Sequence, residues 1–441
     1  MFELMGKKIF QKETLKIFAK EIIDNSKNLY CNKDGLLIQP FDSQGRILNN
    51  TNILKDLGDY LPFFLYFGEI DFCKKQIKEL KRNLRDGLLQ SFLRKGNMSF
   101  ITAFSHTDLL LGLIDYYQST GEEEVLSLTQ EIIEKCIEKF NIGKTINSFY
   151  SPVSKFSLPI FDTVDGSFIE LFVNFYELIK DDYYLNKSKE LIDGFEKNVF
   201  FQKHYLIPER IINNYTWLFN PLFKSKIKKI KVIKNNTNTL YGFLEYYKVT
   251  KNNQVKHLIE KWFNSFCKYL ISPSGGVFDS YDFLNNQQGK IRLEASFATL
   301  DLFCDLYYFL GDNIYIKKAK EIADFWLKKQ SNETKLFPIE EGKTNSNLDA
   351  ETDMIIALMK VFELTNDLSY KTAAEEAFEG IIRYHRKKKG YVLEVNIEDG
   401  KTTNDLYKIK FIILFLKSII LFLEGNKIYQ DKKLFELLRD R

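Results

Sequence analysis

The sequence predicts an all-α fold, an (α/α)6 or (α/α)7 toroid of inner and outer helix hairpins with short β-hairpin arms in the long loops. Three observations predict it. A two-helix unit recurs along the 441 residues. The first helix of each unit is apolar on most faces, whereas the second is apolar on one face only. The break inside a unit is also much shorter than the loop to the next unit. We expect one toroid domain over residues 1–441.

The repeat is visible as seven copies of the same order of features: an apolar, aromatic helix, a short break rich in Gly, Asp or Asn, and an amphipathic helix rich in Lys and Glu. The copies are residues 59–84, 105–140, 165–198, 237–270, 292–330, 349–388 and 405–440. In the last four copies the apolar helices begin near residues 237, 292, 349 and 405, at an almost constant spacing. Shared order and spacing indicate a single architecture.

The two helix types predict two concentric layers. A helix that is apolar all round must be surrounded by protein. In the outer type, exemplified by EIADFWLKK, Ile322, Phe325 and Trp326 lie at i, i+3 and i+4 and form one apolar stripe. A closed ring covers both edges of the apolar helices, which an open solenoid would leave exposed. We expect the amphipathic segment 10–28 to pair with the last inner helix and close the ring.

Several of the long loops carry Gly followed by an alternating, strand-like run. These runs are residues 34–47, 275–283, 334–342 and 390–400. We expect them to form short β-hairpins or extended arms at the mouth of the ring, where the inner helices begin.

Composition and charge exclude several classes of protein. The net charge is +4, from 63 Lys and Arg against 59 Asp and Glu, which is too balanced to indicate a nucleic-acid partner. The five cysteines are far apart and include no CxxC pair, as is typical of reduced thiols in a cytoplasmic protein. The N-terminus shows no secretory signal. The apolar run 411–423 is interrupted by Lys417 and falls short of the roughly 20 residues of a membrane span, so it predicts a buried helix.

Short turns between the two helix types carry a resemblance to a known superfamily. The turns are STGEEE (119–124), FLGD (309–312) and ELTND (363–367), and GGVFDSYDF (275–283) is a preceding arm. Together they resemble the six-hairpin glycosidase superfamily over nearly the whole chain. That superfamily includes unsaturated glucuronyl hydrolases, sugar 2-epimerases, glucoamylase-like enzymes and several polysaccharide lyases. The resemblance implies an (α/α) toroid and carbohydrate chemistry.

Carboxylates at the starts of the inner helices are the candidate catalytic groups. In a ring these starts converge on one mouth, where helix dipoles and free N–H groups attract anions. Glycoside hydrolysis needs one protonated and one ionised carboxyl about 5–10 Å apart. We expect Asp165, in FDTVDGSF, to be catalytic, followed by Asp108 and Asp59. The alternative role for each acid is helix capping. The other acids beside the mouth are Glu294, Asp349, Glu351 and Asp405.

Further residues are predicted to bind substrate. Aromatic rings stack on the apolar faces of sugars, and Tyr215 and Trp217 lie in the longest loop, 213–221. The remaining predicted contacts are His106, Tyr281, Asp282, Arg292, Glu294, Asp349 and Glu351. The lysine-rich run 223–234 is either a solvated strand face or an electropositive rim for an acidic polysaccharide.

Three functions stay open from the sequence. The first is a glycoside hydrolase that acts on an oligosaccharide, possibly containing uronate, by paired-carboxylate acid/base catalysis. The second is a uronate epimerase or polysaccharide lyase that uses Tyr281 or His106 with Arg292. The superfamily's sugar 2-epimerases rely on cavity histidines, of which His106 is the one good candidate. The third is a non-catalytic toroid that binds a glycan or a protein.

The sequence carries no sign of a cofactor. It has no phosphate-binding glycine motif and no Cys–His cluster of metal-ligand spacing. We therefore expect no cofactor and no metal. The expected partner is a carbohydrate substrate, with no nucleic acid and no membrane span, and the oligomeric state is left open.

Overall fold

Helices alternate along the chain as the repeat predicts. The computed structural model describes residues 9–31, 35–37, 53–89, 100–158, 160–212, 228–425 and 427–438. In chain order the helices are α1 (Lys12–Asn28), α2 (Leu57–Tyr66), α3 (Ile70–Arg82), α4 (Thr107–Thr120), α5 (Glu123–Lys139), α6 (Phe168–Ile179), α7 (Asp182–Glu196), α8 (Val199–His204), α9 (Thr237–Thr250), α10 (Asn253–Leu270), α11 (Leu293–Leu310), α12 (Asn313–Leu327), α13 (Leu348–Thr365), α14 (Leu368–Gly380), α15 (Ile409–Leu414), α16 (Leu416–Leu423) and α17 (Lys432–Leu438).

The apolar helices form a closed inner ring, which confirms the toroid. Neighbouring inner helices pack against each other in the order α2, α4, α6, α9, α11 and α13. Helix α13 then packs against α15 and α16, and α15 packs back onto α2. Since α15 and α16 are two halves of one interrupted helix, the described part of the chain shows seven inner positions. The outer layer consists of α3, α5, α7, α10, α12 and α14, with α1 packed on α15 and α16 as predicted.

Burial follows the two sequence patterns. Helix α11 is buried on every face over most of its length, including polar residues such as Asp301 and Asp305. Its outer partner α12 buries one stripe that contains Ile322, Phe325 and Trp326. The run 411–423 forms α15 and α16, whose residues are almost all buried, as expected. Among the described residues, no helix is long and apolar enough to cross a bilayer.

The turns inside the hairpins are short because of specific cap residues. Gly121, Gly311 and Asn366 end α4, α11 and α13 with left-handed backbones, φ 68°, 76° and 57°. Glycine and asparagine tolerate that conformation. Asp312 and Asp367 then cap α12 and α14 through their side chains. The chain therefore reverses direction within a few residues.

The C-terminal segment 427–438 differs from the expected seventh unit. Its helix α17 does not take the outer place, which α1 occupies, but lies across the C-terminal ends of the inner helices. The ring of Tyr429 stacks on Tyr308 with centroids 4.4 Å apart, and Phe435 lies 5.8 Å from Phe309 near the end of α11. The segment therefore covers the end of the ring opposite the mouth.

Every strand of the described residues lies between an outer helix and the next inner helix, on the mouth side. The strands are β1 (Leu84–Arg85), β2 (Leu88–Leu89), β3 (Ile101–Thr102), β4 (Phe149–Ser151), β5 (Phe156–Leu158), β6 (Ile160–Asp162), β7 (Arg210–Ile212), β8 (Lys229–Lys231), β9 (Ser280–Asp282), β10 (Gln287–Gln288), β11 (Asn345–Asn347), β12 (Arg386–Lys387), β13 (Gly390–Tyr391), β14 (Glu394–Asn396) and β15 (Thr402–Asn404).

Two of the predicted arms are confirmed as antiparallel structure. The arm 275–283 contributes β9, which pairs with both β8 and β10, and the arm 390–400 contributes β13 and β14. The arm 334–342 is extended and makes a single bridge from Glu340 to Arg292. Most of the arm 34–47 lies outside the described residues.

A charged cluster is buried between inner helices near the end covered by α17. The ammonium group of Lys360, on α13, lies 2.7 Å from Asp301 and 3.1 Å from Asp305, both on α11. The hydroxyl of Tyr241 donates to Asp301, and that of Tyr429 donates to Asp305 at 2.6 Å. Burial acts to lower the pKa of Lys360, but the two carboxylates outweigh it and raise the pKa to about 12. The cation therefore stays charged inside the protein.

We predict that Lys360→Met strongly destabilises the protein. Methionine keeps most of the side-chain volume but leaves two buried carboxylates without their cation. Breaking a buried ion pair in this way costs about 3–5 kcal/mol. The free energy of unfolding from guanidinium denaturation measures it. Lys371→Met, which removes a half-exposed ion pair on outer helix α14, is the matched control and should cost at most about 0.5 kcal/mol. Equal effects of the two substitutions would contradict this interpretation of the cluster.

Candidate active site

Carboxylates from α2 and α4 surround one lysine at the mouth. The ammonium group of Lys410, in the first turn of α15, lies 2.6 Å from Asp59 and 3.7 Å from Asp56. Asp108, in the first turn of α4, adds its negative charge to the surroundings of Lys410. Burial acts to lower the pKa of Lys410, but Asp59, Asp56 and Asp108 together raise it well above its usual value. Two of the three predicted catalytic acids, Asp59 and Asp108, thus share one cation.

A close contact between two glycines brings these acids together. A Cβ atom added to Gly58 would lie 1.8 Å from the carbonyl oxygen of Asp108, and one added to Gly112 would lie 2.2 Å from the Cα of Gly58. Only glycine allows the backbones of α2 and α4 to approach so closely. The contact places Asp59, which follows Gly58, beside the start of α4.

Acids on α11 and α13 lie near the same end of the ring and, with Asp59, Asp108 and Lys410, form the acid cluster at the mouth. Asp349 lies in the first turn of α13, and Asp353 follows one turn later on the same face. Glu294, in the first turn of α11, lies within electrostatic range of Asp349. The ammonium group of Lys417, on α16, lies 3.5 Å from the carboxylate of Asp353. Five consecutive inner positions of the ring therefore contribute charged side chains.

Asp349 is the acid whose protonation is most perturbed at this end of the described structure. Burial is the main cause, and the charge of Asp353 adds to it, whereas Lys410 and Lys417 act in the opposite direction. The result raises the pKa of Asp349 to about 8. The capping role at the start of α13 belongs to Asn347, which accepts a hydrogen bond from the Asp349 N–H at 3.1 Å. The carboxyl of Asp349 is thus not needed as the helix cap, and burial favours its protonated form.

His106 does not face the mouth. It is fully buried, its Nε2 accepts a hydrogen bond from the Leu89 N–H at 3.0 Å, and its Nδ1 lies 3.0 Å from the Thr102 carbonyl oxygen. Burial lowers its pKa to about 4, so the ring is neutral and Nδ1 donates to the carbonyl. Both ring nitrogens form hydrogen bonds with backbone groups of the arm before α4, which favours a structural role for His106.

Glu351 is also enclosed by protein. Its Oε1 accepts hydrogen bonds from the Phe337 N–H at 2.6 Å and the Ser346 hydroxyl at 2.7 Å. Burial raises its pKa to about 8. The side chain has no exposed surface, so it joins the arm 334–342 to α13 and is not brought to the acids at the mouth.

The residues predicted for a uronate site are engaged elsewhere. The hydroxyl of Tyr281 donates to Asn286, and its ring packs on Tyr269 with centroids 5.1 Å apart. Asp282 accepts hydrogen bonds from the backbone of the following turn, at 2.8 Å from Leu284 N. The guanidinium of Arg292 lies 3.3 Å from Asp279 and 3.6 Å from Glu340. These side chains hold the arms to one another.

Four predicted residues cannot be placed with the acid cluster at the mouth. The backbone of Asp165 lies in the 3-10 turn Thr163–Ser167 that leads into α6, at the mouth, but its side chain is outside the described part. Tyr215 and Trp217 lie wholly outside the described residues. Asp405 is exposed, four residues before α15 begins.

Three charged residues of the acid cluster are not predicted from the sequence: Asp353, Lys410 and Lys417. The sequence does contain a signal for the two lysines, because a lysine inside an apolar, buried helix is costly unless a carboxylate compensates it. In the sequence pattern, Lys417 is only an interruption of the apolar run. Asp353 lies one turn inside its helix, beyond the helix start at which the ring geometry predicts acids.

Outside the ring, a cleft of about 590 Å³ lies between α1 and β12. It is lined by Glu21, Asn25, Ile382, Arg383, Arg386, Lys387 and Lys388. Arg386 bridges it by an ion pair with Glu21. The cleft shares no residue with the acid cluster, so its position does not bear on the chemistry described above.

The fold of the chain is similar to that of several solved structures. No family model and no curated protein matches the chain. Among solved structures, it is similar to an alpha-1,2-mannosidase from Trichoderma reesei, with TM-score 0.68 and 11% identity over 93% of each chain. It is also similar to a D-mannose isomerase, with TM-score 0.61 and 12% identity over 94% of this chain and 98% of that one.

A third similar structure is the cellobiose 2-epimerase from Bacillus thermoamylovorans B4167. Its TM-score is 0.60, with 12% identity over 94% of this chain and 100% of that one. The chain has the (α/α) toroid fold. The resemblance to the six-hairpin glycosidase superfamily is thus confirmed at the level of fold. Identities of 11–12% do not carry a reaction across.

We predict that Lys410→Met lowers the free energy of unfolding by about 2 kcal/mol at pH 7. Asp56, Asp59 and Asp108 would lose the cation that they share. Urea denaturation at pH 7 measures the loss. Lys408→Met, two residues earlier, removes a lysine that has no acid partner among the described residues, and it should cost at most about 0.5 kcal/mol. A loss in Lys410→Met no larger than that in Lys408→Met would contradict the assigned role of Lys410.

Proposed function

We propose that this protein is a carbohydrate-active enzyme, and specifically a glycoside hydrolase that uses paired carboxylates on an oligosaccharide. The observation that carries the proposal is that Asp349, whose protonated form burial favours, and the ion-paired carboxylate of Asp59 both interact with the charge of Lys410. Asp59 forms an ion pair with Lys410, and Asp349 lies within electrostatic range of the same lysine. Hydrolysis of a glycosidic bond needs these two protonation states in one cavity.

In the proposed reaction, Asp349 is the general acid. It donates its proton to the glycosidic oxygen as the bond to the anomeric carbon breaks, and the leaving sugar departs as a neutral alcohol. Asp59 is the ionised partner, with Asp108 beside it. It either takes a proton from the attacking water or attacks the anomeric carbon itself. Lys410 holds Asp59 in position, and the inner-helix dipoles favour its negative charge. Asp165 stays a further candidate through its place in the turn before α6.

The epimerase or lyase alternative has less support. All four histidines are described, and none lies among the mouth acids: His106 and His385 are buried on backbone carbonyls, His204 packs in an aromatic cluster, and His257 is exposed on outer helix α10. The hydroxyl of Tyr281 is committed to Asn286.

The first test is a panel of oligosaccharides and aryl glycosides, with products separated by mass. Asp349→Asn and Asp59→Asn should each lower kcat by about 10²–10⁴-fold, because each removes one proton-transfer group. Asp165→Asn tests the remaining candidate. Asp312→Asn, which keeps a competent helix cap at the opposite end of the ring, is the matched control and should keep full activity.

The pH profile gives a second prediction. Catalysis needs Asp349 protonated, so the alkaline limb of kcat/KM should fall tenfold per pH unit above its pKa of about 8. Products of unchanged mass would indicate epimerisation and contradict the proposal. Hydrolysis that survives both Asp349→Asn and Asp59→Asn would contradict the assignment of these residues.

A further inference from the structure

We propose that the buried ion pair between Asp353 and Lys417 sets the proton occupancy of Asp349, so that both residues act as positioning residues for the general acid. The catalytic meaning of this inference rests on the proposed function. The effect on proton occupancy does not, because it is a property of the resting protein and can be measured without a substrate.

The ion pair between Asp353 and Lys417 lies one helical turn further along α13 than Asp349. Asp353 follows Asp349 by four residues on α13, so the two carboxyls share one face of the helix. Lys417 approaches Asp353 from α16, with Nζ 3.5 Å from Oδ1. The two side chains are only 8% and 11% exposed, so water screens their interaction little. Their charges therefore act on Asp349 through protein.

The described charges around the two acids fall into two opposing sets. Asp349 is influenced by Asp353 on its own helix and by Glu294 on α11, which favour the protonated form, and by Lys410 and Lys417, which favour the ionised form. Asp353 is influenced by the same two lysines and by Asp301 on α11. Asp301 is itself paired with Lys360. Burial is the main reason that Asp349 holds its proton, and the nearby charges adjust this effect, with Asp353 and Lys417 acting in opposite directions.

Because Asp353 and Lys417 carry opposite charges, their substitutions should shift the pKa of Asp349 in opposite directions, which a purely structural role would not produce. Carboxyls one helical turn apart influence each other's titration, so the observable is the pKa at which the two groups lose their last proton. Asp353→Asn removes a negative neighbour and should lower that pKa. Lys417→Met removes a positive neighbour and should raise it. Both substitutions nearly preserve volume, and simple loosening of the packing would move the pKa in the same direction in both.

The experiment is a pH titration of the full-length protein labelled with ¹³C at the aspartate carboxyls. The signal that disappears in Asp349→Asn identifies the group. Asp353→Asn should lower the upper pKa of the pair by about one to two units, and Lys417→Met should raise it by a similar amount. Asp367→Asn, at an exposed cap of α14, should leave it unchanged. Lys417→Arg, which keeps the charge, should restore a value near that of the unaltered protein.

Two results would overturn the inference: no shift in Asp353→Asn, or shifts of the same sign in Asp353→Asn and Lys417→Met. If Lys417→Met does not fold, the comparison of Asp353→Asn with Lys417→Arg still decides. The proposed function is judged separately, because the alkaline limb of kcat/KM should move with the carboxyl titration. Carboxyl shifts of the expected sign in a protein that hydrolyses no glycan would uphold the inference and reject the function.

Discussion

The structure depends on one constraint: helices that are apolar on all faces must have protein on all sides. Seven inner positions meet it only because the ring closes, with α15 packed on α2 and with α1 covering α15 and α16. Because an outer helix returns the chain after each inner helix, all inner helices run in the same direction and their N-termini collect at one end. The loops that carry the β-hairpins collect there too. The mouth is therefore a consequence of burying apolar surface, and the chemistry depends on it.

A second feature is that charged side chains of the inner helices occur in compensated sets. At the mouth, Lys410 balances Asp59 and its neighbours. Lys417 balances Asp353 one turn deeper, and Lys360 balances Asp301 and Asp305 near the closed end. Each lysine resides in a helix that is otherwise mostly apolar, so each is stable only while its acid partners face it.

This arrangement explains how a protonated acid can exist beside several ionised ones. Asp349 is influenced by burial and by like charges on two helices, whereas Asp59 has the direct ion pair with Lys410. Two carboxyls in one mouth thus have different environments, which is the usual physical basis for distinct acid and base roles. The similar solved structures carry the names of a mannosidase, an isomerase and an epimerase. The toroid is thus compatible with several reactions, and the groups at the mouth select among them.

The sequence by itself determined the layers, the short turns, the closure by segment 10–28 and the end of the ring at which acids collect. These follow from periodicity, cap residues and the cost of exposing apolar surface, all of which are local. Only the tertiary structure decided which acids meet. The approach of Gly58 to Gly112 joins Asp59 to the start of α4, and lysines from the last inner helix reach acids distant in sequence. It also turned His106, Glu351 and Tyr281 away from the cluster, because pairing and burial depend on neighbours that a linear pattern does not contain.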